Sequence, residues 1–332
     1  MSLKRFPIIS IVATFILLLF AVPPAVALTP APPYSDFARY SMVIEENCDE
    51  VDVYYPVLSN SNPASNLPVV LLLQGTDVNK SFYFQYASQV AQYGFVVAVP
   101  NHWRITTNPR NGDLMRGFFP EVAQLSIVLD ALEGENTEPL SPLLGKIDTE
   151  KLGLLGHSLG GATGLSAIAD LCLPEICVDF FKRPSELMAG AFFGANLRNL
   201  QTGELVEINN DGIGVLLLHG DLDGRASQSD VENTFDNIAT PPKALVNIAG
   251  VNHFGINDVN KPYGVIPDSN EQTLDQTMSI ETIARWSGLF LRSTLLQDQD
   301  AWNYIFIIGE ELDPNISSVE AVSGREYKFS KN

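Results

Sequence analysis

Residues 156–161 read Gly156-His157-Ser158-Leu159-Gly160-Gly161 and contain the string Gly-x-Ser-x-Gly. A buried-strand pattern, Leu152–Leu155, precedes the string, and a helix-like stretch, Leu159–Leu171, follows it. A serine on such a strand-to-helix turn is presented as a nucleophile. Glycines two residues to either side remove side chains that would clash in the tight turn. The first amides of the following helix favour negative charge developing beside the hydroxyl. The string alone arises by chance in roughly one chain in ten of this length, so the flanking strand and helix carry the reading.

A serine hydroxyl needs a base near neutral pH. The chain has four histidines, and in the order nucleophile–acid–base only His219 and His253 lie downstream of Ser158 outside the turn itself. His219 ends a strand-like run, whereas His253 sits in a loop, Ala249 to Gly255, past the last one, so His253 is the expected base. Two acids follow the run Val215–Leu218, and the Gly-x-x-Asp spacing from Gly220 selects Asp223 over Asp221 as the group that orients the imidazole. Asp221 is left to cap the next helix or brace the loop. Two backbone donors must meet the oxyanion. The N–H of Leu159 is one, and Thr76, in the loop after Val69–Leu73, is the expected second. The string Asp221-Leu222-Asp223-Gly224 also resembles the start of a calcium loop, but the later ligand positions are missing, and no metal or other cofactor is expected.

These groups need a scaffold that brings distant segments to one edge. Short apolar runs bounded by turn residues occur at Val69–Leu73, Phe95–Val99, Leu152–Leu155, Ala189–Phe193, Val215–Leu218 and Ala244–Ile248. Helical stretches are read at Ser81–Tyr93, Glu121–Glu133, Leu159–Leu171, Gln228–Ile238 and Ser279–Leu296. In the last of these Ile283, Trp286 and Phe290 share a face. Tyr40–Ile44 and Val51–Tyr55 read as an opening antiparallel pair. The alternation predicts an α/β fold with a mostly parallel central sheet and helices on both faces, whose ligands bind at the carboxyl ends of the strands. Residues 28–332 are read as a single catalytic domain, with a C-terminal extension after about 298 that packs back on it.

The order Ser158, Asp223, His253, the Gly-His-Ser-Leu-Gly-Gly turn and Gly75-Thr76 after an early strand resemble the α/β-hydrolase superfamily. The stretch Val69 to Asn101 resembles its compact branch of dienelactone hydrolases, chlorophyllases, platelet-activating-factor acetylhydrolases and bacterial polyester cutinases. "LLLHGDLDG" and "GVNHFG" are similar to the acid and base segments of those cutinases. The resemblance spans about residues 40–296 and implies an α/β-hydrolase fold and a serine esterase, with nucleophile, acid and base at Ser158, Asp223 and His253. Leu159 stands where chlorophyllases usually carry Arg, and Ser158 where dienelactone hydrolases proper use Cys. Aromatic residues near the expected mouth are Trp103, Phe118, Phe119, Phe193 and Phe254. Of these, Trp103 and Phe254 are taken as candidate substrate contacts in an apolar cleft.

Composition narrows the partners. With 20 Lys+Arg against 39 Asp+Glu the net charge is −19, which argues against nucleic acid and anionic lipid and favours a neutral small-molecule, lipid-like or polymeric ester. Lys4 and Arg5, an apolar run from Ile8 to Val22 and Ala25-Val26-Ala27 read as a signal peptide over residues 1–27. The run is shorter than a bilayer span requires, so no membrane span is expected after cleavage and the protein is read as secreted or periplasmic. Export permits a disulfide between Cys172 and Cys177, which leaves Cys48 as a free thiol expected to be buried. Two other functions use the same residues: an acyltransferase with an alcohol in place of water, and a binding protein on a hydrolase fold with a silent site.

Overall fold

The computed structural model describes residues 29–58, 64–108, 111–178, 180–199 and 201–324; the signal-peptide segment, residues 1–27, lies outside them. In chain order the strands are β1 (Asp36–Ile44), β2 (Asp49–Val57), β3 (Leu67–Leu73), β4 (Val96–Asn101), β5 (Trp103–Thr107), β6 (Leu114–Phe118), β7 (Ile147–His157), β8 (Leu187–Phe193), β9 (Gly214–Gly220), β10 (Lys243–Ile248) and β11 (Ile316–Val322). The helices are α1 (Phe84–Gln92), α2 (Gln124–Thr137), α3 (Leu159–Ile168), α4 (Gln228–Asp236), α5 (Gln276–Leu295), α6 (Gln299–Asn303) and α7 (Gly309–Leu312).

Nine strands form one sheet in the order β1-β2-β4-β3-β7-β8-β9-β10-β11. The six strands from β4 to β10 in that order run parallel, and β1–β2 and β11 close the two ends antiparallel. The sheet is covered on both faces, which is why its parallel strands are apolar throughout rather than alternating. In β3, Val69, Leu71 and Leu73 enter one core with α2, α3 and α4, while Val70 and Leu72 enter the other with α1 and α5. Ile283, Trp286 and Phe290 of α5 are all buried in that second core. Its helix is capped by Asp275, whose carboxylate accepts from the N–H groups of Thr277 and Met278.

Residues 299–322 return to the sheet. The buried carboxylate of Asp313 accepts from Trp286 Nε1 at 3.0 Å and from Arg285 Nε at 3.1 Å, and β11 then pairs with β10.

Three features differ from expectation. The stretch 103–118, left unassigned in the sequence reading, is a two-stranded hairpin, β5–β6, that stands apart from the main sheet. A ninth strand, β11, extends the sheet past the last apolar run. Cys48, expected to be buried, is exposed. It occupies the turn between β1 and β2 with φ 60°, where the chain reverses and cannot bury its side chain. Cys172 and Cys177 are joined in a disulfide. Among the described residues no helix is long and apolar enough to cross a membrane.

Candidate active site

The site forms at the carboxyl ends of β3, β7, β9 and β10. Ser158 follows β7 with φ 54° and ψ −120°, a conformation that costs a non-glycine residue roughly 1–3 kcal/mol and persists only when its surroundings hold it. They do so here. The Ser158 N–H donates to the carbonyl of Phe193 on β8 at 3.0 Å, and its own carbonyl accepts from the Ala162 N–H at 3.1 Å in the first turn of α3. A Cβ at Gly160 would stand 2.0 Å from the Leu73 carbonyl oxygen, so only glycine lets α3 start this close to the end of β3. Leu159 is the first residue of α3, and its N–H has no acceptor within the helix. Thr76 lies across the cleft, in the loop that follows β3.

His253 and Asp223 meet at the ends of β10 and β9. His253 Nδ1 is 2.8 Å from Asp223 Oδ2. A carboxylate only accepts, so Nδ1 carries a proton and donates it to Asp223. The other oxygen, Asp223 Oδ1, accepts from the N–H groups of Arg225 and Ala226, each at 2.8 Å. Burial alone would raise this carboxyl. The His253 N–H and the two backbone donors outweigh burial and hold it below the usual carboxylate range. Asp221 does different work. Its Oδ1 accepts from the Gly250 N–H at 2.7 Å and ties the acid loop to the base loop, while Ser227, not Asp221, caps α4. Gly194, with φ +58°, lies beside the pair, and a Cβ there would sit 2.9 Å from Asp223 Oδ2 and 3.0 Å from His253 Nδ1. His253 is anchored from outside as well, because its N–H donates to Asp268 Oδ2 at 2.8 Å.

The cleft is lined by Gly75, Thr76, His157, Ser158, His253 and Phe254, among others. His157 was not singled out in the sequence for any role. It is buried and bridges two of the loops. Nδ1 is 2.9 Å from the Tyr83 hydroxyl, and Nε2 is 2.9 Å from the His253 carbonyl oxygen. The carbonyl accepts only, so Nε2 donates and Nδ1 accepts from Tyr83. The Tyr83 oxygen in turn accepts from the Gly75 N–H at 2.8 Å. Burial, and then the nearby His253, push the His157 pKa well below its ordinary value, which keeps the ring neutral, as this bonding pattern needs.

The other histidines lie elsewhere. His219 is buried, and its Nε2 donates to the Ala226 carbonyl at 3.1 Å. His102 is buried between Asp49 and Glu121. Of the aromatic candidates, Phe254 is buried, forms one wall of the cleft and meets the His253 ring edge-on at 5.3 Å. Phe119 and Phe193 are core residues. Trp103 does not line the cleft. It is 56% exposed on β5, in a neighbouring groove. Among the described residues no group of His, Cys, Asp and Glu is arranged to hold a metal ion.

Residues 41–176 match the chlorophyllase family, one of the families of the α/β-hydrolase superfamily. Together with the nine-stranded, mostly parallel sheet, that match decides the architecture. The chain has an α/β-hydrolase fold. The matched segment runs from β1 to the disulfide and contains the Ser158 turn, but it ends before Asp223 and His253. No curated protein matches the chain at a significant level. For an α/β-hydrolase, the match implies an esterase-type hydrolase acting on ester bonds.

Proposed function

We propose that this protein is an exported serine esterase that cleaves neutral, fairly apolar carboxylic esters through an acyl-enzyme. The observation that carries the proposal is the His253–Asp223 contact at 2.8 Å. It supports Nδ1 as the donor to Asp223, which in this reading reserves Nε2 for the role of base, in the cleft that Ser158 also lines. In this reading His253 Nε2 takes the proton of Ser158 Oγ as the oxygen attacks the ester carbonyl. The tetrahedral oxyanion is met by the amides of Leu159 and Thr76. Asp223 stays ionised and stabilises the imidazolium, which then protonates the departing alcohol. Water activated by His253 attacks the acyl-enzyme and returns Ser158 to its free form. The net charge of −19 supports a neutral substrate, and the Cys172–Cys177 disulfide supports export.

A fluorophosphonate probe and hydrolysis of p-nitrophenyl acetate test the proposal together. Wild type is expected to be labelled and to turn over the ester, and Ser158→Ala to do neither while keeping its circular dichroism. A well-folded wild type that resists the probe and hydrolyses no ester would sink the esterase reading in favour of a silent binding protein. N-terminal sequencing of the exported chain, expected to begin near Leu28, tests the export step.

A further inference from the structure

Asp223 and His253 both lie in loops, beyond the ends of β9 and β10, so no sheet or helix bonding sets the distance between them. A third segment does. Val265 lines the cleft, and the residues that follow it, Ile266-Pro267-Asp268-Ser269-Asn270, are bonded to both loops. On the acid loop, the Ile266 carbonyl accepts from Arg225 Nη1 at 2.9 Å, and Asn270 Nδ2 donates to the Leu222 carbonyl at 3.1 Å. On the base loop, the Asn270 carbonyl accepts from Asn252 Nδ2 at 2.8 Å.

Asp268 takes hold of both loops with one half-buried carboxylate. Its Oδ2 accepts from the His253 N–H at 2.8 Å, and both of its oxygens lie 3.2 Å from the Gly224 nitrogen, the residue after the acid. Oδ1 also accepts from the Asn270 N–H at 2.9 Å, which fixes the carboxylate within its own segment. Backbone donors to an ionised carboxylate make stronger bonds than neutral pairs do. Gly224 marks how close the segment comes. A Cβ there would stand 2.4 Å from Asp268 Oδ1 and 2.4 Å from Ser269 Oγ, although its backbone is outside the left-handed region. Asp221 braces the same two loops at Gly250, short of the base, whereas Asp268 meets the base itself.

We propose that Asp268 is a positioning residue for the acid–base pair. By accepting from the backbone of His253 and of Gly224 it sets the spacing across which His253 Nδ1 meets Asp223 Oδ2. It does not line the cleft and acts through the two backbones. The proposal rests on the esterase reading for its effect on rate and on the hydrogen bonds for the spacing. A shift of about 1 Å in either backbone takes the pair out of hydrogen-bond range and misaligns the base.

Two variants disturb this clamp and leave Ser158, Asp223 and His253 unchanged. Asp268→Asn keeps the shape, but an amide has a single accepting oxygen, and turned either way it sets its NH2 against a backbone N–H. Gly224→Ala keeps Asp268 and forces it away with the new Cβ. Each is expected to lower kcat on p-nitrophenyl acetate by roughly 10- to 100-fold with KM within about threefold. The double variant should lose little more than the worse single one. Thermal denaturation establishes which variants are folded. A kcat within about threefold of wild type in the folded variants overturns the proposal, as does a loss confined to KM. The spacing is also read without turnover. The proton between His253 and Asp223 should give a low-field resonance in proton NMR, assigned by its loss in Asp223→Asn. In Asp268→Asn and Gly224→Ala that resonance should move upfield or broaden by exchange. A resonance unchanged in the folded variants overturns the proposal even if wild type hydrolyses esters. A displaced one upholds the clamp even if no ester is hydrolysed and the esterase reading fails.

Discussion

His157 Nε2 donates a hydrogen bond to the backbone carbonyl of His253 at 2.9 Å. Through that bond the residue preceding the proposed nucleophile holds the backbone of the proposed base. Through Tyr83 the same ring reaches Gly75, beside the proposed oxyanion donor Thr76. One neutral imidazole thus joins three loops that come from the ends of β3, β7 and β10, and a displacement of any one loop breaks a buried bond worth about 1–3 kcal/mol.

His157→Leu is expected to lower kcat by roughly 10- to 100-fold with little change in KM, because the reacting groups lose alignment rather than chemistry. Tyr83→Phe removes the donor to Nδ1 and the acceptor of the Gly75 N–H, and should lower kcat by a similar or smaller factor. The double variant should lose much less than the product of the two, since both act on one network. Steady-state kinetics on a short ester, with thermal denaturation as the control for folding, decide it. Strictly multiplicative losses would show that the two side chains act separately.

The two neighbouring aspartates should separate cleanly. Asp223→Asn removes the carboxylate that fixes the His253 proton on Nδ1 and is expected to lower kcat by roughly 10⁴-fold with the fold intact. Asp221→Ala removes only the brace to the Gly250 N–H, so it should cost about 1 kcal/mol of stability and leave kcat within roughly tenfold. A chemical-denaturation midpoint and a kcat measured on each variant suffice, and the reverse ranking would reassign the acid.

The parts of the fold that were legible in the sequence are those whose burial leaves a pattern. The parallel strands are apolar on both faces, and the apolar runs from Val69–Leu73 to Ala244–Ile248 lie within strands except that Phe95 precedes β4 by one residue. The hairpin escaped because its apolar residues point outward. Trp103, Ile105 and Leu114 are exposed while Arg104 is turned inward, so its period-two pattern has the inverse sign. β11 is an edge strand with exposed Ser and Glu, and its pairing partner β10 is distant in the chain. Ser158, Asp223 and His253 could be picked out because each follows a strand end at a recognisable spacing. His157 could not, because the turn motif accepts any residue at that position and its role depends on where Tyr83 and the His253 carbonyl happen to fold.

The disulfide closes a loop of few residues, which limits what it contributes. Cys172→Ser/Cys177→Ser is expected to lower stability by about 2 kcal/mol from loop entropy. The loop is also held by Ile176, whose carbonyl accepts from the Val122 N–H at 2.9 Å, so the pair of substitutions should not unfold it. Ile176 also lines a small pocket that shares no lining residue with the cleft. The rate on a short ester should therefore stay within about twofold of wild type. A thermal midpoint and the rate on one short ester check both, and a loss of activity in well-folded protein would show that the loop acts on the site.

Two buried histidines give the pH dependence of stability opposite slopes. His102 donates from Nδ1 to Asp49 at 2.9 Å and from Nε2 to Glu121 at 3.1 Å, so it is charged. Burial pulls its pKa down, but the two carboxylates outweigh burial and raise it to about 9. In the unfolded chain it titrates near about 6.5. Its contribution is therefore complete below about pH 6.5 and is lost as pH rises through about 9, a change on the order of 2–3 kcal/mol. His157 is depressed instead, first by burial. The unfolded chain takes up that proton below about pH 6.5 while the folded chain resists it, so this contribution is complete above about 6.5 and is lost as pH falls below it. Denaturant midpoints measured from about pH 5 to about pH 10 should peak near neutrality. His102→Gln should flatten the alkaline limb and leave the acid limb, and His157→Leu should do the reverse from a lower starting stability. An alkaline limb that persists unchanged in His102→Gln would mean that the imidazolium between Asp49 and Glu121 does not set it.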